Sequence, residues 1–321
     1  MERRQRREHG GVAEALDDRI QSTNRVLSGQ FAGYPNVQYI QYNSFELKNM
    51  DDVFTETGKY PAVIGSDYTG RLAQESNCRR IYTGHNPSLI SYARAGGIVA
   101  LTAHYYRPDF HGGSQCGLRR AGYPAYDLNR ILPGGADRTK WIAMLDATAA
   151  GLGQLRDAGV PVLWRPLHEV GGSFWWTQEP AKFKRVWQDM FTYFTQTKKL
   201  NNLIWSYTGN KDNFPGYAYV DLIGDDVYAG APASTLEQLA ATGSKVYAYT
   251  EFGPQASSGY DFRSLINTIR STSATATYFL VWADSYRLGN PGHNYQRELM
   301  NDSWVADRSE VSLCAYGSPD C

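Results

Sequence analysis

The chain has 321 residues, 42% of them hydrophobic, and its 32 basic side chains balance its 32 acidic ones. This length exceeds that of most single domains but is ordinary for one α/β barrel, and the absence of net charge gives no support to nucleic acid or an anionic membrane surface as a partner. No apolar run reaches the roughly 18 residues that a membrane-spanning helix needs, so we expect no membrane association.

Eight short apolar segments recur along the chain, separated by helical patterns or loops. They are residues 25–32, 62–68, 97–104, 160–169, 202–208, 220–228, 245–252 and 277–284. Because they are almost continuously hydrophobic rather than alternating, they indicate strands that are buried on both faces, as in a parallel sheet.

Helical patterns lie between these strands. Asn86-Pro87 and Pro180 are typical of helix starts, and the apolar residues after Pro180 recur with the helical period. Residues 234–237 form a capping-box pattern, and residues 262–269 carry a further apolar stripe. Alternating strands and helices predict parallel β-α units, and eight strands predict a closed (β/α)8 TIM barrel in a single domain, with the active residues at the carboxyl ends of the strands.

Other segments do not follow this alternation. Residues 106–137 are rich in Gly, Pro, Arg and Asp, and we interpret them as a long loop after the third strand, over the barrel mouth. Residues 1–20 are predicted to be a tail, because their basic start lacks the apolar segment of a signal peptide. We place the catalytic domain at residues 21–302 and a C-terminal extension at residues 303–321.

The cysteine pattern favours an oxidising environment. The four cysteines contain no CxxC pair, so we expect no zinc site, and they allow three pairings if all are oxidised. They are Cys78, Cys116, Cys314 and Cys321. The short spacing makes Cys314–Cys321 the first choice. An even count and the sequon at Asn301 lead us to expect a secreted, extracellular protein.

The aromatic content is high, at 13%, with 23 Tyr and 8 Trp. Tyr and Trp combine an apolar face with a polar group, which suits the apolar faces and hydroxylated edges of sugar rings. A large core with hydrated interfaces would explain the same composition.

Two apolar segments, residues 163–169 and 247–253, each contain a glutamate at the predicted end of a buried strand. Desolvating a carboxylate costs several kcal/mol. We therefore expect Glu169 and Glu251 to have a specific role at these positions. A retaining glycoside hydrolase requires two such carboxylates, about 5–5.5 Å apart. One is protonated and acts as the acid, and the other is ionised and acts as the nucleophile.

Each glutamate also has a structural interpretation. The His168-Glu169 pair could belong to a zinc-binding helix, but the second histidine that this motif needs is replaced by Gly172. Glu169 could instead pair with Arg165 in the interior. Glu251 could simply accept a backbone hydrogen bond. The Gly-Gly turn and the aromatic residues after Glu169 favour the catalytic interpretation.

Several segments together resemble glycoside hydrolase family 26, which consists mostly of β-mannanases. The resemblance covers about residues 25–300. Residues 165–169 with 171–176 resemble the acid/base signature of the family, and residues 250–253 resemble its nucleophile strand. Residues 96–104, 201–207, 219–228 and 280–285 resemble further strands of the family. It implies a (β/α)8 barrel that cleaves β-glycosidic bonds with retention.

The resemblance also implies roles for single residues. Glu169 would be the general acid/base and Glu251 the nucleophile. Tyr228 would hydrogen-bond the nucleophile, and Trp282 would form the floor of the subsite that holds the attacked sugar.

Five more residues would bind substrate or orient its neighbours. His104 would bind a sugar hydroxyl, and His168 would contact the acid/base side. Asp226 would orient groups near Tyr228. Trp175 and Trp176 would hold the leaving-group sugar.

The sequence therefore predicts a monomeric endo-β-1,4-mannanase that acts on mannan, glucomannan or galactomannan and requires no cofactor and no metal. A β-1,3-xylan or mixed-linkage β-glucan remains an alternative substrate on the same fold. A non-catalytic sugar-binding barrel is a second alternative, although such a protein would be expected to lack one of the two glutamates.

Overall fold

In a computed structural model of the chain, the described residues are 25–34, 47–69, 81–110, 124–177, 179–228, 232, 234–254 and 256–311. The four cysteines lie outside these ranges, and so do the predicted Cys314–Cys321 bridge and the tail at residues 1–20. Among the described residues, no helix is both long and apolar enough to cross a bilayer.

The strands form a closed parallel barrel. They are β1 (Val26–Leu27), β2 (Gly29–Gly33), β3 (Val63–Asp67), β4 (Ile98–Ala103), β5 (Val162–Pro166), β6 (Leu203–Thr208), β7 (Leu222–Val227), β8 (Val246–Phe252), β9 (Ala276–Val281) and β10 (Val305–Ala306). Neighbours from β2 to β8 pair in chain order, and β9 closes the barrel by pairing with β8 and with both β1 and β2. The predicted (β/α)8 TIM barrel is confirmed, with β1 and β2 together occupying the first strand position.

Two details of the barrel differ from the sequence prediction. The predicted first strand is divided at Ser28, whose hydroxyl donates to the Ala306 carbonyl at 2.8 Å. Ala306 belongs to β10, a strand that the sequence analysis did not predict and that pairs in parallel with β1. A two-residue strand is too short to show a hydrophobic period.

Helices follow the strands in alternation. They are α1 (Lys48–Thr57), α2 (Asn86–Arg94), α3 (Arg138–Asp157), α4 (Pro180–Thr192), α5 (Ser234–Thr242), α6 (Arg263–Thr272) and α7 (Gln296–Met300). The predicted starts at Asn86 and Pro180 are confirmed. So is the apolar stripe of α6, in which Leu265, Ile266 and Ile269 are buried.

Both faces of the strands are buried except at Asp225 and Asp226 of β7, which are partly buried, and this explains why the strands do not alternate in sequence. In β5, Leu163 belongs to the cluster inside the barrel, whereas Val162 and Trp164 belong to the layer between barrel and helices. Burying one such side chain stabilises the fold by about 1.5–3 kcal/mol. Arg165 of the same strand is also buried, although it is charged.

The described part of residues 106–137 is packed rather than extended. A short 3-10 helix, Leu128–Ile131, begins after Asp127, whose side chain accepts a hydrogen bond from the amide of Asn129. Tyr126 is buried, and its hydroxyl donates to Asp137 at 3.0 Å. A single 3-10 turn has no α-helical period, so the sequence showed no pattern here.

Candidate active site

The turn after β5 positions Glu169 and differs from the prediction. The strand ends at Pro166 rather than continuing to Glu169. Leu167 and Glu169 have φ angles of 47° and 51°, a left-handed conformation that costs energy for residues with a side chain and often occurs at functional sites. The Gly172 amide donates to the Glu169 carbonyl at 2.9 Å. A Cβ at position 172 would lie 3.0 Å from that oxygen, so a side chain there would be a tight fit.

Glu251 reaches the same point from β8. A bulge shifts the β7–β8 register, so that Asp225 pairs with Tyr249 whereas Asp226 pairs with Glu251. The extra residue, Thr250, donates its hydroxyl to Asp226 at 2.8 Å. Bulges redirect side chains, and this one places Glu251 next to Asp226.

The two predicted catalytic glutamates lie close together. Glu169, Asp226 and Glu251 each offer a carboxylate oxygen, and these oxygens lie within 4.8 Å of one another. Carboxyl groups about 5–5.5 Å apart are characteristic of retaining glycosidases, and inverting enzymes need about 6.5–9.5 Å. The geometry fits direct attack by one carboxylate on the sugar that the other protonates.

Arg165 holds this carboxylate cluster together electrostatically. Its guanidinium donates to Asp226 at 2.7 Å and forms a second hydrogen bond to Glu251 Oε1. Burial alone would lower the pKa of Arg165, but the charges of Asp226 and Glu251 outweigh burial and raise it. The cluster could also ligate a cation, but Arg165 already supplies positive charge to two of its three members.

The surroundings of Asp226 and Tyr228 raise the pKa of both side chains. Burial, with the charges of Glu251 and Glu169, raises the pKa of Asp226 well above its usual value, although Arg165 acts in the opposite direction. Burial and the charge of Glu251 likewise raise the pKa of Tyr228. The Tyr228 hydroxyl therefore stays protonated and donates to Glu251 Oε2 at 2.5 Å.

We expect Tyr228→Phe to lower kcat about 10- to 100-fold. The substitution removes a hydrogen bond to a charged group, which contributes about 1.5–3 kcal/mol. Steady-state hydrolysis kinetics would measure the effect. Tyr286→Phe is the matched control, because that ring packs against Tyr228 with centroids 6.0 Å apart. Equal losses in both variants would contradict a specific role for the Tyr228 hydroxyl.

Of the two predicted histidines, His168 lies beside Glu251 and His104 lies against His168. His168 Nε2 is 3.7 Å from Glu251 Oε1 and 3.1 Å from His104 Nε2. Both rings are buried, and their planes are nearly perpendicular at 86°. Their predicted contacts with substrate stay predictions.

Trp282 lies just beyond the end of β9. It is half-buried and stacks on Phe31, with ring centroids 3.9 Å apart and planes inclined by 26°. Its amide donates to the Phe252 carbonyl at 2.8 Å, which ties it to the end of β8. This position next to Glu251 is compatible with the predicted role as the subsite floor.

Trp175 and Trp176, the predicted contacts of the leaving-group sugar, are both packed into the structure. Both indoles are buried, at 1% and 0% exposure, so neither offers a free face for stacking. Trp176 stacks on Phe174 at 4.6 Å, and its Nε1 donates to the His168 carbonyl at 2.8 Å. Trp175 Nε1 donates to the Tyr105 carbonyl at 2.7 Å. These two hydrogen bonds hold the backbone that carries the site, and the predicted sugar contacts of both residues stay predictions.

Sequence reasoning missed three polar residues at the site. Arg165 was considered only as a partner of Glu169, and it binds Glu251 and Asp226 instead. The other two residues, Asp67 and Thr102, are buried. Asp67 contacts His104, and Thr102 contacts His168. The available signal was a polar side chain near the carboxyl end of an otherwise apolar strand.

Comparison with known proteins agrees with this geometry. The model of glycosyl hydrolase family 26 matches residues 13–310. A mannan endo-1,4-β-mannosidase of Bacillus subtilis strain 168 is 33% identical over 310 residues, which covers 90% of this chain and 82% of that protein. Mannan endo-1,4-β-mannosidase A and B of Caldalkalibacillus mannanilyticus is 33% identical over 315 residues, covering 90% of this chain.

This chain spans only 58% of the length of the Caldalkalibacillus protein. Among solved structures, a Bacillus subtilis mannanase superimposes with a TM-score of 0.80 and 30% identity, covering 92% of this chain and 90% of that chain. The match of the family model to nearly the whole barrel shows that the chain belongs to glycoside hydrolase family 26.

Proposed function

We propose that this protein is a retaining endo-β-1,4-mannanase that hydrolyses β-mannan, glucomannan or galactomannan. The observation that carries the mechanism is that a carboxylate oxygen of Glu169 and one of Glu251 lie within 4.8 Å of each other. The substrate class is supported by the relatives, which are named as mannan endo-1,4-β-mannosidases.

The reaction proceeds in two displacements. Glu251 attacks the anomeric carbon while Glu169 donates its proton to the departing glycosidic oxygen. Glu169, now a carboxylate, removes a proton from water, and the resulting nucleophile breaks the glycosyl ester and releases Glu251. Arg165 and Tyr228 hold Glu251 between them, with contacts to Oε1 and Oε2 respectively, so its orientation is set before substrate arrives.

We expect mannan, glucomannan and galactomannan to be hydrolysed faster than β-1,3-xylan or mixed-linkage β-glucan. The carboxylate pair serves every β-glycan equally, so the preference must come from subsites around it. Reducing-sugar release from each polysaccharide, at equal mass, measures it. Faster hydrolysis of β-1,3-xylan or of the mixed-linkage β-glucan would show that one of these is the preferred substrate. No hydrolysis of any of the polysaccharides would favour a non-catalytic sugar-binding barrel.

Product analysis separates endo from exo cleavage. We expect mannohexaose to give a ladder of short products, because an endo-acting cleft binds the chain at several registers. Mannobiose as the sole initial product would contradict endo action.

We further propose that the protein acts outside the cell as a monomer. A polysaccharide substrate is too large to enter a cell intact, which supports an extracellular site of action. The sequon at Asn301 is compatible with that setting. Sedimentation of the purified protein would give the mass of the species in solution, and a dimer would contradict the monomer.

A further inference from the structure

Two loops at the carboxyl ends of the strands are joined by backbone hydrogen bonds. One, residues 256–262, leads from β8, which carries the proposed nucleophile, and the other, residues 282–295, follows β9. The amide of Asn294 donates to the Tyr260 carbonyl at 2.8 Å, and the amide of Phe262 donates to the Asn294 carbonyl at 3.0 Å. We call the contacts between these two segments the loop junction.

His293 is buried in the loop junction, and its contacts identify which ring nitrogen carries a hydrogen. Nε2 lies 2.7 Å from the carbonyl oxygen of Ser285, which can only accept, so Nε2 carries a hydrogen and donates it. The amide of Tyr260 donates to Nδ1 at 3.3 Å, so Nδ1 carries none. The residue is 4% exposed, and its ring meets the ring of Phe262 edge-on, with centroids 5.5 Å apart. These are the contacts of a neutral histidine that links the two loops.

The 3-10 turn Asp284–Tyr286, which contains the carbonyl that accepts from His293, packs beside the proposed nucleophile. The ring of Tyr286 lies 6.0 Å from that of Tyr228, centroid to centroid, and the Tyr228 hydroxyl donates to the nucleophile. A Cβ at Gly253, just after β8, would lie 3.3 Å from Cδ2 of Tyr286, so this ring also lies close to the backbone there. Holding the turn therefore holds the packing around Tyr228.

A second proton on His293 is incompatible with this arrangement. It would bind to Nδ1 and face the amide N–H of Tyr260, so that two donors would oppose each other. Burial lowers the pKa of His293 and the charge of Arg287 lowers it further, although the hydrogen bond to Ser285 acts in the opposite direction. Because the pKa is lowered in the closed junction, closure is most stable above the ordinary histidine pKa of about 6.5 and weakens as the pH falls below it.

The charged side chains of the segments packed against this ring are Asp261, Asp284, Arg287 and, at the start of α6, Arg263. Arg287 is the one that acts on the pKa of His293. Asp261 binds Arg263 at 2.6 Å, and this contact lowers the pKa of Asp261. Burial raises the pKa of Tyr260 to about 12. Asp261 and Tyr260 therefore keep their charge states over the range in which His293 takes up a proton.

We propose that His293 is a positioning residue that closes the loop junction when it is neutral and releases it when it is protonated. This inference rests on the proposed function, in which the Tyr228 hydroxyl orients Glu251. With the junction closed, the turn keeps the Tyr286 ring against Tyr228. With the junction released, the turn loosens, the Tyr228 hydroxyl loses its fixed direction, and kcat falls.

The variant His293→Gln tests the proposal through the pH profile of kcat. Glutamine keeps an N–H group for the Ser285 carbonyl but takes up no proton in this range. Near pH 7.5 we expect its kcat to be about 2- to 10-fold below that of the unsubstituted enzyme, because the bond from the Tyr260 amide is lost. Between about pH 7.5 and about pH 5, the ratio of variant to unsubstituted kcat should rise at least about fivefold. A constant ratio would overturn the proposal.

Asn290→Ala is the matched control at the same junction. The Asn290 amide donates to the Ser257 carbonyl at 3.2 Å and to the Ser285 carbonyl at 2.8 Å, so it links the same loops without a titrating group. Its kcat relative to the unsubstituted enzyme should fall toward acid pH, because a weakened junction opens more readily once His293 is protonated. A rise like that of His293→Gln would show that the histidine is not the cause.

A second background tests the link to Tyr228. In Tyr228→Phe, adding His293→Gln should leave the shape of the pH profile unchanged, because the hydroxyl that the junction positions is absent. A rise as large as in the enzyme that keeps Tyr228 would refute positioning through this hydroxyl.

Hydrogen–deuterium exchange of the unsubstituted protein tests the junction without a variant or a substrate. Protection of the Tyr260 amide, measured against the exchange of an unstructured peptide at the same pH, should fall at least about fivefold between about pH 7.5 and about pH 5. Amides inside α3 should keep their protection. Unchanged protection at Tyr260 would overturn the proposal whatever the activity. Loss of protection in a protein that hydrolyses no β-glycan would overturn the proposed function and leave the titrating junction in place.

Discussion

Glu251→Ala is expected to lower kcat at least about 10⁴-fold, because loss of a covalent nucleophile removes the two-step route altogether. Glu251 is 2% exposed, and its carboxylate oxygen lies within 4.8 Å of those of Glu169 and Asp226, so among the described residues Asp226 is the carboxylate that could replace it. Asp226 already binds Arg165 and Thr250 through its two oxygens, which makes it a poor substitute.

Glu251→Gly with added azide gives a sharper result. The small anion can occupy the space left by the carboxylate and attack the anomeric carbon from the same face, while Glu169 still protonates the leaving group. One displacement replaces two, so the product should be a glycosyl azide of inverted configuration, identified by proton NMR. A retained configuration, or full activity of either variant without azide, would refute the assignment of Glu251. Glu298→Ala, at an exposed position, should behave as the unsubstituted enzyme.

Arg165→Met is expected to destabilise the folded protein by about 3–5 kcal/mol at neutral pH. Removing one partner from a buried ion pair leaves the other charge uncompensated, and here one guanidinium serves two carboxylates. Chemical denaturation would measure the free energy of unfolding. Activity should fall as well, because Glu251 loses the contact that orients Oε1.

A double substitution separates charge from packing in this prediction. Asp226→Asn removes one of the two carboxylates, so Arg165→Met with Asp226→Asn should be more stable than Arg165→Met alone. Lys48→Met is the surface control: Lys48 pairs with Asp52 at 2.8 Å on an exposed helix face, and its loss should cost below about 1 kcal/mol. Similar losses in Arg165→Met and Lys48→Met would contradict the buried network.

The barrel could be predicted because its signal is repeated and local. Each strand is an apolar run of a few residues, and each following helix has its own start signal, as Asn86-Pro87 and Pro180 illustrate. The glutamates could be identified because Glu169 and Glu251 lie at or just beyond the ends of such runs. Nothing in these signals depends on contacts between distant residues.

Burial and pairing were harder to predict. Trp175 and Trp176 follow the acid/base glutamate, and their position suggested that they stack on a sugar. In the structure both rings are buried, and their indole N–H groups donate to backbone carbonyls. The direction in which a ring points depends on the turn at Gly171 and Gly172, and a residue-type pattern does not encode it. Likewise, the sequence shows that Arg165 is charged but does not show that its partners are Asp226 and Glu251.

The sequence by itself determined the fold class, the position of both glutamates at the barrel mouth and the family, because these depend on hydrophobic periodicity and on short contiguous motifs. Only the tertiary structure decided the separation of the two carboxylates, the sharing of Arg165 between Asp226 and Glu251, and the meeting of Asp67, His104 and His168. The reason is physical: these contacts join residues from different strands, whose separation is set by barrel closure, by the β8 bulge and by the left-handed turn at Glu169.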